Sequence, residues 1–304
     1  MKMWQNLFYQ VDKFLPRSVA RLPYQLCLEA LALTPPVQLS IWCRNSIDEG
    51  NFVFGISDLD VTAMALKRLS LDEYKLVFKH AKEIKKIYPW LGEINLYAHD
   101  DLKSISELMN PYELSRDKNL IKLIGPLPTP SIAEKCVFIL RMLYSDRVKL
   151  KHSPEFRQKK WKGHFEHLGI HHQGKITIDS IQAVLVEMIG TNIIPVVDFF
   201  LSPNYIAERV CHLDTPLEWG YFFPHLFLLS QRFPIETENQ MLKEIAIAQM
   251  KWEIAGIYTQ RHWLGTEDYR VHFEGITKFY RSLTSESEGD RIVRTVNQLF
   301  DLSI

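Results

Sequence analysis

The sequence predicts an α+β fold, in which a small mixed sheet flanked by helices precedes a mainly α-helical lobe. Two observations lead to this prediction. Three short strand-like segments, at residues 37–43, 58–66 and 91–97, all lie before residue 100. Beyond that point the strand signals fade, and helical patterns predominate over residues 101–109, 131–150, 176–189, 217–232 and 236–258.

The overall composition is that of a globular protein. The 304 residues are 46% hydrophobic and 24% charged, and 36 Lys+Arg balance 36 Asp+Glu. This composition excludes disorder as the main state, and the length favours one large domain or two modest ones. Because the net charge is zero, the chain has no overall field to attract polyanions, which disfavours dedicated DNA binding.

The cysteines and the apolar runs indicate a soluble, cytoplasmic protein. Cys27, Cys43, Cys136 and Cys211 are far apart and have apolar neighbours, which predicts burial as small hydrophobic residues in a reducing compartment. Residues 4–15 form an apolar helical stripe broken by polar residues, unlike a signal sequence. No uncharged apolar run reaches the roughly 18 residues of a membrane helix, so we expect no membrane contact.

Local signals place the remaining elements of the first lobe. Residues 4–33 predict helix with interruptions at Pro16 and Pro23. Ser70 stands three residues before Glu73, the spacing of a capping box, and opens a helix that Pro89 ends. This helix therefore separates the second predicted strand from the third.

A proline-rich segment marks the predicted boundary between the lobes. Residues 125–130 combine one glycine with three prolines, which resist helix and remove backbone donors. We therefore predict a first domain at residues 1–125 and a mainly helical domain at residues 126–304. The serine-rich, acidic residues 282–290 predict an exposed loop before a last helix.

The chemistry is concentrated in a pair of carboxylates on the second predicted strand. Asp58 and Asp60 share one face of this strand, while Leu59 and Val61 face the other way. With no basic neighbour in sequence, two such carboxylates repel each other unless a cation binds. Oxygen ligands at this spacing suit Mg²⁺, which takes one or two protein carboxylates and completes its shell with water and phosphate.

Three neighbouring features strengthen this interpretation. Asn45 and Ser46 follow the first strand, where a hydroxyl and a turn of backbone amides could hold a phosphate. Gly50 and Gly55 give the intervening loop the freedom to adopt positive φ. Glu93, on the third strand, supplies another carboxylate and shares its face with Asn95 and Tyr97.

These residues together resemble the nucleotidyltransferase superfamily, the DNA polymerase beta-like group. The family has a Gly-Ser at a strand end, often followed by Gly-Asp/Asn-Phe, Gly-x-Ser and Asp-hydrophobic-Asp. The corresponding residues here are Ser46, Gly50-Asn51-Phe52, Gly55-Ile56-Ser57 and Asp58-Leu59-Asp60, with Asn45 in place of the first glycine. The resemblance covers residues 37–97, about a fifth of the chain.

The resemblance implies a sheet of nucleotidyltransferase type and transfer of a nucleoside monophosphate from an NTP, with ATP as the default donor. Asp58, Asp60 and Glu93 would hold two Mg²⁺ ions, and Glu93 would help to deprotonate the acceptor. Asn45, Ser46, Gly55 and Ser57 would form the nucleotide-binding loop. The expected partners are the nucleotide and a small-molecule acceptor, selected by the helical lobe.

Asn45 also supports a different interpretation, a degenerate domain that binds a nucleotide or a partner protein without catalysis. A side chain at this position adds bulk where the family has glycine, which lets the backbone approach phosphates. Asp100 and Asp101 are alternatives to Glu93 as the third carboxylate if the strand ends elsewhere.

Two further sequence patterns are weaker indications of a binding site. His164, His167 and His171 have a helical spacing that can bind zinc, although partly exposed histidines are the commoner outcome. Basic residues between positions 147 and 162, with Trp161 among them, could grip phosphates or stack on a base, which keeps an RNA acceptor open.

Overall fold

Three strands form one small mixed sheet. The computed structural model describes residues 7–8, 10–33, 37–44, 47, 50, 52–148, 154–189, 240–260 and 286–300. Strands β1 (Leu39–Cys43), β2 (Leu59–Ala65) and β3 (Leu91–Ala98) lie in the order β1-β2-β3. β1 pairs antiparallel with β2, and β2 pairs parallel with β3. The predicted α+β fold with a small mixed sheet is confirmed.

Two helices cover one face of this sheet. Helix α1 (Arg17–Leu33) precedes β1, and helix α2 (Leu71–Ile87) makes the crossover that the parallel pair β2-β3 requires. Ser70 and Glu73 form the predicted capping box at the start of α2. The shared core has buried residues from both helices and from β2 and β3, among them Tyr24, Leu31, Val77, Ala81, Leu59, Val61, Leu91 and Ile94. Leu39, Ile41 and Cys43 of β1 are partly buried and pack against it.

Helix α1 differs from the prediction at one position. Pro16 precedes the helix as expected, but Pro23 lies inside it and does not end it. Ala20, Tyr24, Cys27 and Leu31 are buried along one side, and this continuous apolar contact spans the proline. Packing against the sheet therefore outweighs the local cost of a proline in a helix.

Helices of the second half cover the opposite face of the sheet. Helix α9 (Gln240–Gln260) packs against β3, and helix α10 (Glu286–Phe300) contacts α9. Met64 and Tyr97 of the sheet share a core with residues of these helices, including Met250, Ile254, Tyr258, Ile292 and Val296. The sheet is therefore buried on both faces.

Short helices connect β3 to the second half. A 3₁₀ turn (His99–Asp101) leads into α3 (Leu102–Ser106), α4 (Pro111–Leu114) and α5 (Lys118–Ile124). Gly125 ends α5 with a φ of +96°, at the start of the predicted linker. Helices α6 (Ile132–Val148), α7 (Pro154–His167) and α8 (Ile178–Ile189) follow, and α9 packs on α6.

Three of the helices predicted for the second half are present in the structure. The predictions at residues 131–150, 176–189 and 236–258 correspond to α6, α8 and α9. The predicted loop at 282–290 is wrong in its last part, because α10 begins at Glu286. The predicted helix at 217–232 lies outside the described residues, and the division at residue 125 stays a prediction. No described helix has both the length and the apolar character needed to cross a membrane.

Candidate functional site

The two predicted carboxylates lie at the start of β2. Asp58 immediately precedes the strand and is exposed, and Asp60, its second residue, is half-buried. Leu59 and Val61 are buried on the opposite face, against α1 and α2. The predicted division into a charged and an apolar face is therefore confirmed at this end of the strand, where burial of the apolar side fixes the register.

Gly92, the second residue of β3, allows the two carboxylates to lie beside the neighbouring strand. A Cβ atom on Gly92 would lie 2.7 Å from Oδ1 of Asp60 and 2.8 Å from Cβ of Asp58. The strand register shifts at this point, and the Glu93 N–H donates to Oδ1 of Asp60 at 3.2 Å. Both aspartates therefore border one glycine, which sequence reasoning did not single out although it directly precedes Glu93.

Glu93 lies at the same end of the sheet as Asp58 and Asp60, because β2 and β3 are parallel and begin next to each other. The two alternatives to Glu93 lie at the other end of β3. Asp101 is buried there and bound by Arg68 and by the Tyr258 hydroxyl, while Asp100 is exposed in the 3₁₀ turn. Of the three candidates, Glu93 alone lies beside Asp58 and Asp60.

A buried arginine that sequence reasoning missed binds Glu93. The Arg44 side chain is 3% exposed, and its guanidinium donates to Oε2 of Glu93 at 2.6 Å and to Oε1 of Glu113 at 3.1 Å. The Arg44 backbone N–H donates to the Asp60 carbonyl at 3.0 Å. Asp60 has no basic neighbour in sequence, but strand pairing brings the charge of Arg44, which follows β1, close enough to act on it.

Asn95 completes the network around this arginine. In the amide orientation that satisfies its neighbours, its oxygen accepts from Nη2 of Arg44 at 3.0 Å and its nitrogen donates to Oε1 of Glu93 at 3.2 Å. The Nε atom of Arg44 is buried without a hydrogen-bond partner in the described part of the chain. Glu93 is thus held by two neighbours on its own face of the sheet.

Burial and neighbouring charges shift the pKa values of Arg44 and Glu93. Burial alone would lower the pKa of Arg44, but the carboxylates of Glu93, Asp60 and Glu113 raise it above its ordinary value. Burial raises the pKa of Glu93, an effect that Asp60 and Glu113 reinforce and Arg44 opposes. Arg44 therefore stays charged, and it offsets only part of the surrounding negative charge.

The loop before β2 has the backbone freedom that its glycines predict. Gly50 and Gly55 have φ values of +74° and +70°. The Ser57 hydroxyl accepts from the Val53 N–H at 2.9 Å, and a Cβ on Gly55 would lie 2.8 Å from the Phe8 ring. Gly55 and Ser57 thus have local structural roles, and nucleotide binding by them stays a prediction. Asn45 and Ser46 lie outside the described residues.

No family model, no curated protein and no solved structure matches this chain. The nucleotidyltransferase resemblance therefore rests on the motif residues alone.

The donor set is compatible with Mg²⁺ at two of its three predicted positions. Asp58 and Asp60 border the same glycine and offer hard oxygen ligands, which Mg²⁺ supplements with water and phosphate. Glu93 is adjacent but bound by Arg44. Within the described ranges, no three His, Cys, Asp or Glu side chains form a group that could hold a metal ion by themselves.

A cavity of about 110 Å³ adjoins Glu93. Glu93 lines it from the sheet and Glu113 from the short helix α4, while Arg141, Trp252 and Thr259 line it from α6 and α9. The Arg141 guanidinium lies over the Trp252 ring, 3.8 Å from its centre. The cavity therefore brings polar groups and one aromatic ring from α6 and α9 to the carboxylate edge of the sheet.

The structure supports neither the zinc pattern nor base stacking by Trp161, while phosphate binding by the basic residues between positions 147 and 162, some of which lie outside the described residues, stays a prediction. His164 is buried among aromatic rings rather than partly exposed, while the imidazole Nε2 of His167 lies 2.9 Å from the Tyr112 carbonyl oxygen. His171 lies beyond the end of α7 and is exposed, so the zinc interpretation has no support. Trp161 is 3% exposed and packs on Phe165, so its ring is not available to stack on a base.

Proposed function

We propose that this protein is a Mg²⁺-dependent nucleotidyltransferase that moves a nucleoside monophosphate from an NTP, by default ATP, to a small-molecule acceptor. The observation that carries the proposal is the approach of Asp58 and Asp60 to Gly92. The Gly-x-Ser-Asp-Leu-Asp segment that resembles the nucleotidyltransferase superfamily thus places both carboxylates beside a strand position without a side chain. A mixed sheet with Glu93 on the adjacent parallel strand further supports a site of nucleotidyltransferase type.

In this proposal Asp58 and Asp60 hold Mg²⁺ together with the triphosphate. A Mg²⁺ ion held by these two residues would supply electrostatic stabilisation of the charge that develops when an acceptor oxygen attacks the α-phosphorus and the bond to pyrophosphate breaks. The proton of the attacking hydroxyl passes to Glu93, whose pKa is raised by burial and which is therefore a better base than an exposed glutamate. Arg44 and Asn95 hold the Glu93 carboxylate in place.

The cavity beside Glu93 is the proposed acceptor site. It lies between the sheet edge and helices α6 and α9, so residues of the helical half would contact the acceptor. A volume of about 110 Å³ admits a small polar group rather than a whole macromolecule. A small-molecule acceptor, or one reactive group of a larger one, is consistent with this size.

Thermal unfolding against the four NTPs, with and without Mg²⁺, tests the proposal without an acceptor. Ligand at a hundred times its dissociation constant stabilises a protein by about 2.7 kcal/mol, which raises the melting temperature by several degrees. We expect a Mg²⁺-dependent shift with at least one NTP that the Asp58→Asn/Asp60→Asn variant loses.

The matched control is Asp72→Asn/Asp100→Asn, which removes two exposed carboxylates, one in the first turn of α2 and one in the 3₁₀ turn that follows β3. The control should keep the full nucleotide-dependent shift. A Mg²⁺-dependent shift that survives replacement of Asp58 and Asp60 would contradict their role. Once a donor is found, release of pyrophosphate in the presence of candidate acceptors measures the transfer itself.

The ion pair between Arg44 and Glu93 favours a second candidate, a domain that binds a nucleotide or a partner without catalysis. A glutamate held by a buried arginine is less available as a metal ligand or a base. Nucleotide stabilisation that does not depend on Mg²⁺ would support this candidate. If no NTP raises the melting temperature, the transferase proposal is overturned and partner binding is left.

A further inference from the structure

One guanidinium is shared between a site carboxylate and a carboxylate from outside the site. Arg44 donates to Glu93 with Nη2 and to Glu113 with Nη1. Glu93 lies on β3 beside Asp60, whereas Glu113 comes from the short helix α4. Arg44 thus forms one ion pair with a residue of the proposed metal site and a second ion pair with a residue of helix α4.

We propose that Glu113 tunes the affinity of the Asp58–Asp60 site for divalent cations, by offsetting the charge of Arg44. This inference depends on the proposed function only in that the cation is the one bound by the two aspartates. Glu113 would be a positioning residue, since it acts through Arg44 and does not itself border Gly92.

Helix α4 presents Glu113 at a fixed place. Asn110 caps the helix by accepting from the Tyr112 N–H at 3.0 Å, and Pro111 occupies the first turn. Pro111, Tyr112 and Leu114 are buried, and the Glu113 side chain is 14% exposed. The carboxylate is therefore held against Arg44 by packing of its own helix, rather than by a flexible surface contact.

The charges around the site give Glu113 and Arg44 opposite effects on a bound cation. Arg44 attracts Asp60 and Glu93 and repels any cation that these carboxylates would hold. Glu113 offsets part of that repulsion. Among the described residues, Arg116 and Arg141 also face this region: Nη1 of Arg116 lies 3.9 Å from Oε2 of Glu113, and Arg141 lies across the cavity.

Neutralising the two residues should therefore change cation affinity in opposite directions. In Glu113→Gln the full charge of Arg44 acts on Asp60 and Glu93, so the affinity should fall about three- to tenfold. In Arg44→Gln the repulsion is removed, so the affinity should rise by a similar factor. A purely structural role for the two residues would instead lower the affinity in both variants.

The experiment uses Mn²⁺ as a probe for Mg²⁺, with free Mn²⁺ measured by electron paramagnetic resonance at fixed pH and ionic strength. The full-length protein is compared with Glu113→Gln, Arg44→Gln and the double variant, in which the two effects should largely cancel. Glu107→Gln is the matched control, because Glu107 is exposed and pairs with Arg291 outside the site. Circular dichroism establishes that each variant is folded.

The outcomes separate this inference from the proposed function. Loss of Mn²⁺ binding in Asp58→Asn/Asp60→Asn, together with weakened binding in Glu113→Gln, supports both. Binding that is lost in the aspartate variant but unchanged in Glu113→Gln overturns the inference alone. Binding that the aspartate variant retains overturns the proposed function, and the inference with it. If Arg44→Gln does not fold, the result for Glu113→Gln decides.

Discussion

Gly92 approaches Asp60 so closely that a β-carbon on the glycine would lie 2.7 Å from the carboxylate Oδ1. Real Cβ contacts are not this short, so a side chain on β3 at this position would displace Asp60 or separate the strands. The glycine therefore couples the local geometry of β3 to the position of a proposed metal ligand on β2.

Gly92→Ala should reduce cation and nucleotide binding more than it reduces stability. Overpacking of this kind costs about 1–3 kcal/mol of unfolding free energy, and the added methyl also moves both aspartates. We expect at least about a tenfold loss in Mg²⁺-dependent NTP affinity, equivalent to about 1.4 kcal/mol. Titrations followed by thermal unfolding measure both quantities.

The control for this substitution is Gly163→Ala. Gly163 lies inside helix α7, and an added Cβ would meet no heavy atom within 4 Å other than those of its chain neighbours and of the nearby helix backbone. Alanine should leave nucleotide binding unchanged and raise stability by up to about 1 kcal/mol, because alanine favours helix over glycine. Equal effects of the two substitutions on binding would refute a specific role for Gly92.

Tyr258→Phe should destabilise the contact between α9 and the sheet. The Tyr258 hydroxyl donates to Oδ2 of Asp101 at 2.7 Å and accepts from the Ala98 N–H at 3.2 Å. Burial and the neighbouring Asp101 carboxylate raise the pKa of Tyr258, so this hydroxyl keeps its proton. Phenylalanine removes one hydrogen-bond partner from the Asp101 carboxylate and one from the Ala98 N–H. We therefore expect the free energy of unfolding, measured in urea, to fall by about 1–3 kcal/mol.

A matched control for Tyr258 is Tyr88→Phe, since the half-buried Tyr88 ring packs against Trp90 and the core between the sheet, α1 and α2. This variant should change the unfolding free energy by less than about 0.5 kcal/mol. If Tyr258→Phe costs no more than Tyr88→Phe, the buried hydroxyl contributes nothing to the contact.

His164 should make the protein less stable in mild acid. Its pKa lies well below the ordinary value of 6.5, mainly because of burial and also because of Lys160, Arg116 and His167. Below pH 6.5 the unfolded chain therefore binds a proton that the folded state does not, so the free energy of unfolding falls with decreasing pH. The limiting slope for one group is about 1.4 kcal/mol per pH unit.

His164→Phe should remove this contribution and flatten the dependence of unfolding free energy on pH below 6.5. His171→Gln, which changes an exposed histidine with no such burial, should retain the wild-type slope. Urea denaturation at a series of pH values measures the slopes. Parallel curves for the wild type and His164→Phe would contradict the assignment.

Cys27 and Cys136 should react with thiol reagents only when the protein unfolds. Both are fully buried, and burial raises the pKa of each thiol to about 12. At pH 8 the reactive thiolate is therefore scarce and inaccessible. Peptide mass spectrometry after iodoacetamide treatment should find both cysteines unmodified in buffer and alkylated in urea, and rapid labelling in buffer would contradict their burial.

Local sequence signals predicted the elements well where neighbouring residues determine them. The three strands lie within two residues of their predicted bounds, since alternation and turn residues act over short distances. The Ser70 and Glu73 capping box is equally local. Pro23 was misjudged because its cost is local, whereas the packing that offsets it comes from the sheet.

The site was predictable in part for the same reason. The positions of Asp58 and Asp60 on one face follow from strand periodicity alone. The partner of Glu93 does not, since Arg44 is 49 residues away in sequence and reaches Glu93 only across the sheet. Glu113, 69 residues from Arg44, was also overlooked because nothing nearby in sequence marks it.

The sequence by itself determined the α+β composition, the strand bounds and the paired carboxylates, because short-range periodicity and capping encode them. Only the tertiary structure decided that Arg44 lies between Glu93 and Glu113, and that Gly92 faces Asp60. Strand pairing and helix docking join residues that are distant along the chain. Charge balance at the site therefore depends on contacts that no local pattern specifies.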